Sequence, residues 1–347
     1  MTLQTALVGY GYAGKTFHAP LLRSAEGIAL TTVVSRDASK VHADLPDVRV
    51  CDMDTMLADP AIALVVIATP NDTHAPLARQ ALLAGKHVVI DKPFALDVSE
   101  AQGLITLAAE RALLLSIFHN RRWDADFLTL RRLIESGELG DWKQMESRFD
   151  RFRPVVRQRW REGAGPGAGL WFDLGPHLLD QVLQLFGQPD WLQADIVAQR
   201  AGALSDDGFE VTLGYGERRV RLGASSLVSH RVRRFAVHGD RGSYLKFDLD
   251  QQESWLKAGL LPGQSGWGEG ESAGVLYRQQ DEQIEETAIL PVPGDYAGYY
   301  PAVARAIAGR GANPVAPVEA LRVMRLLALA THSAAEGRRL ECESVFV

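Results

Sequence analysis

The run "TALVGYGYAGKTFHAPL" sets Gly9, Gly11 and Gly14 in a G-x-G-x-x-G spacing between an apolar, strand-like stretch and a helical pattern. Each glycine answers a separate steric demand. Gly9 permits a tight turn, Gly11 lets the backbone approach a pyrophosphate, and Gly14 lets helix and strand pack closely, with the helix N-terminus facing the anion. Tyr10, Tyr12 and Ala13 complete this candidate cofactor-binding turn. The spacing alone is weak, and a tight turn without a ligand is the alternative, so the flanking elements decide.

Those elements alternate. After the first strand and helix come strand candidates at "IALTTVVS", "ALVVIATP", "HVVIDKP" and "LLLSIFHN", interleaved with the helical runs "APLARQALLAGK" and "VSEAQGLITLAAERA". This rhythm predicts a doubly wound α/β domain with a parallel sheet, here a nucleotide-binding Rossmann domain over residues 1–120. Past Asn120 a helix, a strand and a Gly-rich segment lead into "LWFDLGPHLLDQ", followed by short alternating strands separated by Gly, Asp and Pro. Residues 121–347 are therefore expected to form a substrate-binding and oligomerisation α/β domain on a mainly antiparallel open sheet, closed by two C-terminal helices. A length of 347 residues fits two such cores.

The tip of the second strand selects between cofactors. An acid about 20 residues past the glycines would bind the ribose 2′-hydroxyl of NAD, whereas an arginine suits the 2′-phosphate of NADP. "VVSRDASK" puts Ser35 and Arg36 at that tip, with Lys40 a helical turn further on, which predicts NADP(H). Asp37, next to Arg36, keeps NAD open as the alternative.

Composition excludes other classes. The formal net charge is −6, with 37 basic residues scattered among 43 acidic ones, so no basic face is present to neutralise a nucleic-acid backbone. Cys51 and Cys342 are the only cysteines, too few for a disulfide framework and without finger spacing. No stretch reaches the roughly 20 apolar residues of a membrane span, and the N-terminus lacks the basic region of a signal peptide. A cytoplasmic protein with no membrane or nucleic-acid partner is expected.

Four stretches, "GYGYAGKTFHAPL", "ATPNDTHAPLARQALLAGKHVVIDKPFAL", "FHNRRWDADF" and "GAGLWFDLGPHLLDQ", together resemble the Gfo/Idh/MocA oxidoreductases. The resemblance spans essentially the whole chain, and "HNRRWD" and "RPVVRQRWRE" are most similar to the NADP-dependent scyllo-inositol dehydrogenases of that family. It implies a homodimer or homotetramer formed through the open sheet. It also implies catalytic roles for Lys92, in the Lys-Pro motif, and for Asp173 and His177, in an Asp-x-x-x-His pair. Asp91 stands where the family usually has Glu. The Thr69-Pro70-Asn71 turn, His74, Asn120, Trp160 and Arg161 match positions that line the cofactor in such reductases, and Asp91 and Lys92 are assigned to the same surface.

The chemistry suits these residue types. Moving a hydride to or from a carbinol carbon requires a group that takes or returns the hydroxyl proton, and an imidazole near its pKa serves both directions. His177 is assigned that role. Lys92, after a buried-looking strand, can stabilise alkoxide charge, and Asp173 can accept a substrate hydroxyl. Taken singly, each has a plainer reading: a solvated lysine, a packed histidine, a helix-capping aspartate. No second ligand cluster accompanies Asp173 and His177, so no metal is expected. Pro176 fits if it lies in the first helical turn. No charge cluster is evident in the sequence of the predicted cleft, which favours a neutral substrate, a cyclic polyol or sugar such as an inositol. The alternatives are a reductase of an anhydro- or deoxy-ketosugar and a non-catalytic NADP-binding sensor.

Overall fold

The computed structural model describes residues 2–345 and divides into two compact units. The first comprises Met1–Asn120 with Gln252–Glu269 and Asp295–Leu321, and the second comprises Arg121–Gln251, Gly270–Gly294 and Arg322–Val347.

The first unit is built on β1 (Leu3–Val8), β2 (Ile28–Val34), β3 (Arg49–Cys51), β4 (Leu64–Ile67), β5 (His87–Asp91) and β6 (Leu115–Phe118). Its helices up to Asn120 are α1 (Ala19–Ser24), α2 (Ala38–His42), α3 (Met53–Ala58), α4 (His74–Leu83) and α5 (Val98–Glu110). All six strands are parallel, in the order β3-β2-β1-β4-β5-β6. Val65, Val66, Val88, Val89 and Ile90 are fully buried, as expected for strands covered on both faces. The order reverses between β1 and β4, and a crevice at the carboxyl ends of the strands opens at such a switch point.

In the second unit, α6 (Ala125–Glu135) precedes β7 (Trp142–Arg148), and α7 (Leu170–Phe186) leads into β8 (Trp191–Val197), β9 (Gly208–Tyr215), β10 (Arg218–Ser225), β11 (Arg233–Gly239) and β12 (Ser243–Phe247). The first unit then takes α8 (Gln252–Lys257). The strands β13 (Gly274–Gln280) and β14 (Gln283–Ile289) return to the second unit, α9 (Tyr299–Ile307) belongs to the first, and α10 (Pro317–Glu336) and β15 (Leu340–Glu341) close the chain. The nine-stranded sheet runs β14-β13-β12-β11-β7-β10-β9-β8-β15, antiparallel at every junction except β7 with β10. One face packs Val220, Leu222, Val211 and Val237 with Leu178, Leu179 and Val182 of α7 into a continuous core. The outer strand β14 is almost entirely exposed.

Among the described residues no helix is long and apolar enough to cross a membrane.

Candidate active site

The glycine turn has the shape its spacing predicts. Gly9 follows β1 at φ 95°, and a Cβ there would lie 2.6 Å from the carbonyl oxygen of Ala68, the residue after β4. A Cβ on Gly14 would lie 2.2 Å from the Gly9 oxygen. Gly11 differs, because a Cβ on it would meet nothing within 4 Å. Two glycines thus let the strand ends and the following helical turn close up, while the third leaves an open cradle for a ligand backbone. This turn fits a dinucleotide pyrophosphate. A π-helical turn, Gly14–His18, runs on into α1.

The two tyrosines of the turn are held differently. Tyr10 is buried with its hydroxyl 3.2 Å from Asp44 Oδ2, so it faces into the unit. Tyr12 is half exposed and donates to Glu253 Oε1 of α8 at 2.7 Å. Ala13 caps the π-helical turn.

At the tip of β2, Asp37 caps the following helix. Its Oδ1 accepts the Lys40 backbone N–H at 3.0 Å and the Ser39 hydroxyl at 2.6 Å, capping α2, and those bonds hold its carboxyl below the usual range. Ser35 Oγ accepts the Asp37 N–H at 3.2 Å. Arg36 and Lys40 are exposed beside this cap.

The turn after β4 is fixed by its own polar groups. The Thr73 hydroxyl lies 2.6 Å from both Thr69 Oγ1 and the Pro70 carbonyl, and Asn71 is buried. His74, at the start of α4, is buried with Nδ1 2.8 Å from the Pro93 carbonyl and Nε2 3.0 Å from the Thr69 carbonyl. It therefore lies between the Thr69 turn and the Lys92-Pro93 segment. Carbonyl oxygens only accept, so a neutral ring donates to one of the two. Burial pushes this imidazole down, against the opposing pull of Asp91 and the two carbonyls.

Asp91 ends β5, and its Oδ1 accepts the backbone N–H of Lys92 at 2.9 Å. The same oxygen lies 3.7 Å from Nε2 of the fully buried His18, whose Nδ1 is 2.6 Å from the Tyr300 hydroxyl. Burial raises the Asp91 carboxyl, but His18, Lys92 and His74 outweigh it and leave it below the ordinary carboxylate range. Lys92 itself is partly exposed, joined to Pro93 by a cis bond. Asn120 is buried just past β6.

On the second unit, α7 begins upstream of where Pro176 would occupy its first turn. The Asp206 carbonyl accepts the Leu170 N–H at 2.9 Å and its carboxylate accepts the Trp171 N–H at 2.6 Å, so those two bonds start the helix. Pro176 consequently lies inside α7, contrary to the sequence expectation. Asp173 falls near the helix start and His177 one turn on, on the same side. His177 is buried, edge-on to Phe149 with ring centroids 6.5 Å apart. Trp160 and Arg161 form a short 3₁₀ turn, with the Arg161 guanidinium 4.6 Å above the Trp160 ring and its Nε 3.5 Å from Asp173 Oδ1.

Sequence reading missed two groupings. One is the His18–Tyr300 contact, since 282 positions separate the two residues. The other is a pocket beside Asp173 lined by Arg151, Arg153, Arg159, Arg161 and Arg200. The expectation that no charge cluster lies near the catalytic candidates is thus corrected. Four of these arginines sat visibly in "RFRPVVRQRW" and the residue after it, but only the fold adds Arg200. Among the described residues no cluster of three or more His, Cys, Asp or Glu is placed to hold a metal ion.

Residues 3–119 match the family model described as the NAD-binding Rossmann fold of the GFO_IDH_MocA oxidoreductases, and residues 131–342 match its C-terminal alpha/beta domain. The chain belongs to the Gfo/Idh/MocA oxidoreductase family. Two curated relatives place it within that family. The uncharacterized oxidoreductase YdgJ of Escherichia coli is 50% identical over 333 residues, covering 96% of each chain. The scyllo-inositol 2-dehydrogenase (NADP(+)) IolW of Bacillus subtilis is 36% identical over 345 residues, covering 99% of this chain and 96% of the relative. The solved YPO2259 structure from Yersinia pestis, 48% identical, superposes with a TM-score of 0.94 over 98% of this chain and 97% of that one. As a Gfo/Idh/MocA member the chain is an oxidoreductase with an NAD(P)-binding Rossmann domain.

Proposed function

We propose that this Gfo/Idh/MocA member uses NADP(H) to interconvert a secondary alcohol and a ketone on a cyclic polyol or sugar, with scyllo-inositol the first compound to test. The observation that carries the cofactor choice is that Asp37 caps α2 through Oδ1, beside the exposed cations Arg36 and Lys40 at the tip of β2. A guanidinium there supports 2′-phosphate binding. The substrate class is supported by the 36% identity to the scyllo-inositol 2-dehydrogenase (NADP(+)) IolW.

In this reading the bound nicotinamide supplies or accepts the hydride. His177 takes the hydroxyl proton during oxidation and returns it during reduction. Lys92 stabilises the negative charge developing on the substrate oxygen, and Asp173 accepts a neighbouring hydroxyl. Asn71, His74, Asn120, Trp160 and Arg161 serve cofactor binding, His74 from its place between the Thr69 turn and Pro93.

Nicotinamide absorbance followed against a panel of polyols and ketosugars, with NADPH and NADH in parallel, tests the proposal. Turnover preferring NADH sinks the cofactor assignment. Tight NADPH binding without turnover of any member would favour a sensor over an enzyme. The open nine-stranded sheet suggests assembly as a homodimer or homotetramer, which light scattering after size exclusion checks.

A further inference from the structure

Arg151, Arg153, Arg159, Arg161, Arg200 and Asp173 bound a pocket that lies wholly on the second unit. Its charges are unevenly matched. Arg200 pairs with Asp207 at 2.9 Å and with Glu162 at 3.0 Å, and Arg159 pairs with Glu162, which also lines the pocket, at 2.7 Å. Asp206 also borders the pocket, and its carboxylate accepts the Trp171 N–H. Asp173 is the carboxylate that Arg151 and Arg161 face.

Arg151 and Arg161 reach that carboxylate at 3.7 and 3.5 Å, longer than the roughly 2.8 Å of a charge-assisted hydrogen bond. Arg153 meets Asp173 and Glu162 only as a through-space attraction. Burial makes Arg151 less basic, Asp173 opposes this, and the neighbouring Arg153, Arg159 and Arg121 add to it. Clustered, partly desolvated cations repel one another, and an anion placed among them relieves that repulsion. Guanidinium forks also match the paired oxygens of carboxylates and phosphates.

We propose that this pocket binds an anionic group, a carboxylate or a phosphate ester, carried by the substrate on which Asp173 and His177 act. The inference rests on the oxidoreductase reading above and narrows it. Within the polyol and sugar class, an acidic or phosphorylated member is preferred to its neutral counterpart.

Titration calorimetry of the NADPH-loaded full chain with D-glucitol, D-gluconate and D-glucitol 6-phosphate tests this without requiring turnover. At least one anionic probe should bind about tenfold or more tighter than glucitol, as expected for hydrogen bonds to a charged group. Whichever anion binds better identifies carboxylate or phosphate as the natural group. Arg153→Gln should remove about tenfold of that affinity and leave glucitol binding within about twofold, while Arg153→Lys should restore part of the loss. Arg153→Lys also serves alone if the glutamine variant fails to fold. Equal binding of all three probes, no binding of either anion, or anion affinity unaffected by both substitutions overturns the proposal. The oxidoreductase reading fails by a separate observation, the absence of NADPH oxidation with every ketone offered.

Discussion

His18 Nε2 and Asp91 Oδ1 face each other at 3.7 Å inside the dinucleotide-binding unit, and the Tyr300 hydroxyl closes the other side of the imidazole at 2.6 Å. Burial holds the Tyr300 phenol well above its ordinary pKa, so it keeps its proton and donates it to Nδ1. Nε2 is the ring nitrogen turned to Asp91. Because Asp91 also accepts the Lys92 backbone N–H, this buried chain ends next to the proposed catalytic lysine.

The Asp91 carboxyl is depressed in the folded state, so the stability it contributes is present above the ordinary carboxylate pKa and lost as pH falls through the depressed value. His18→Gln removes a leading cause of that depression. Its acid-unfolding midpoint, followed by circular dichroism, should move to higher pH than that of the unmodified chain. An unchanged midpoint would show that the pair does not stabilise the carboxylate.

Removing either proton-handling group should slow chemistry more than cofactor binding. Lys92→Ala and His177→Ala are each expected to lower kcat by roughly a hundredfold or more with NADPH affinity largely retained. Near-wild-type turnover in either variant refutes the role assigned to that residue.

Arg36→Ala should raise the KM for NADPH by about tenfold and leave that for NADH nearly unchanged, because only NADPH carries the charged 2′-phosphate. Parallel loss with both cofactors would mean that Arg36 acts on the fold of the turn and not on the phosphate.

Asp206 shows the opposite pH behaviour to Asp91. Its carboxyl is raised by burial to about 6, so the folded chain holds a proton that the unfolded chain releases between the ordinary carboxylate value and about 6. Its contribution is therefore greatest at low pH and falls as pH rises through 6. Asp206→Asn keeps an acceptor for the Trp171 N–H but cannot ionise, and should be more stable than the unmodified chain at pH 7 by about 1–2 kcal/mol. Urea unfolding at pH 5 and pH 7 checks this, and a gain no larger at pH 7 than at pH 5 contradicts it.

The parts of this molecule that local chemistry dictates could be read directly. The glycine turn, the continuous apolar strands such as "LVVI" and the amphipathic run of α7 each carry their periodicity in adjacent residues. What escaped was set by distant partners. Nothing near Pro176 announces that Asp206 will start α7 early enough to enclose it. Nothing near His18 points to Tyr300. The arginines between 151 and 161 were in plain view, but their shared direction depends on the path of a loop with no periodicity to read.

The three-part make-up of the first unit bears on how the protein can be dissected. Ser116 in β6 meets the Tyr299 hydroxyl at 2.8 Å and the Val315 carbonyl at 3.1 Å, Asn313 donates to the Leu115 carbonyl at 2.8 Å, and His18 needs Tyr300. Cutting the chain after Asn120 would strip all of these from the nucleotide-binding sheet and bare Phe118 to water. During synthesis, too, that sheet must wait for its last strand's partners until about two hundred further residues have been made. The cofactor-binding half is thus not a portable module, and variants meant to probe it belong in the intact chain.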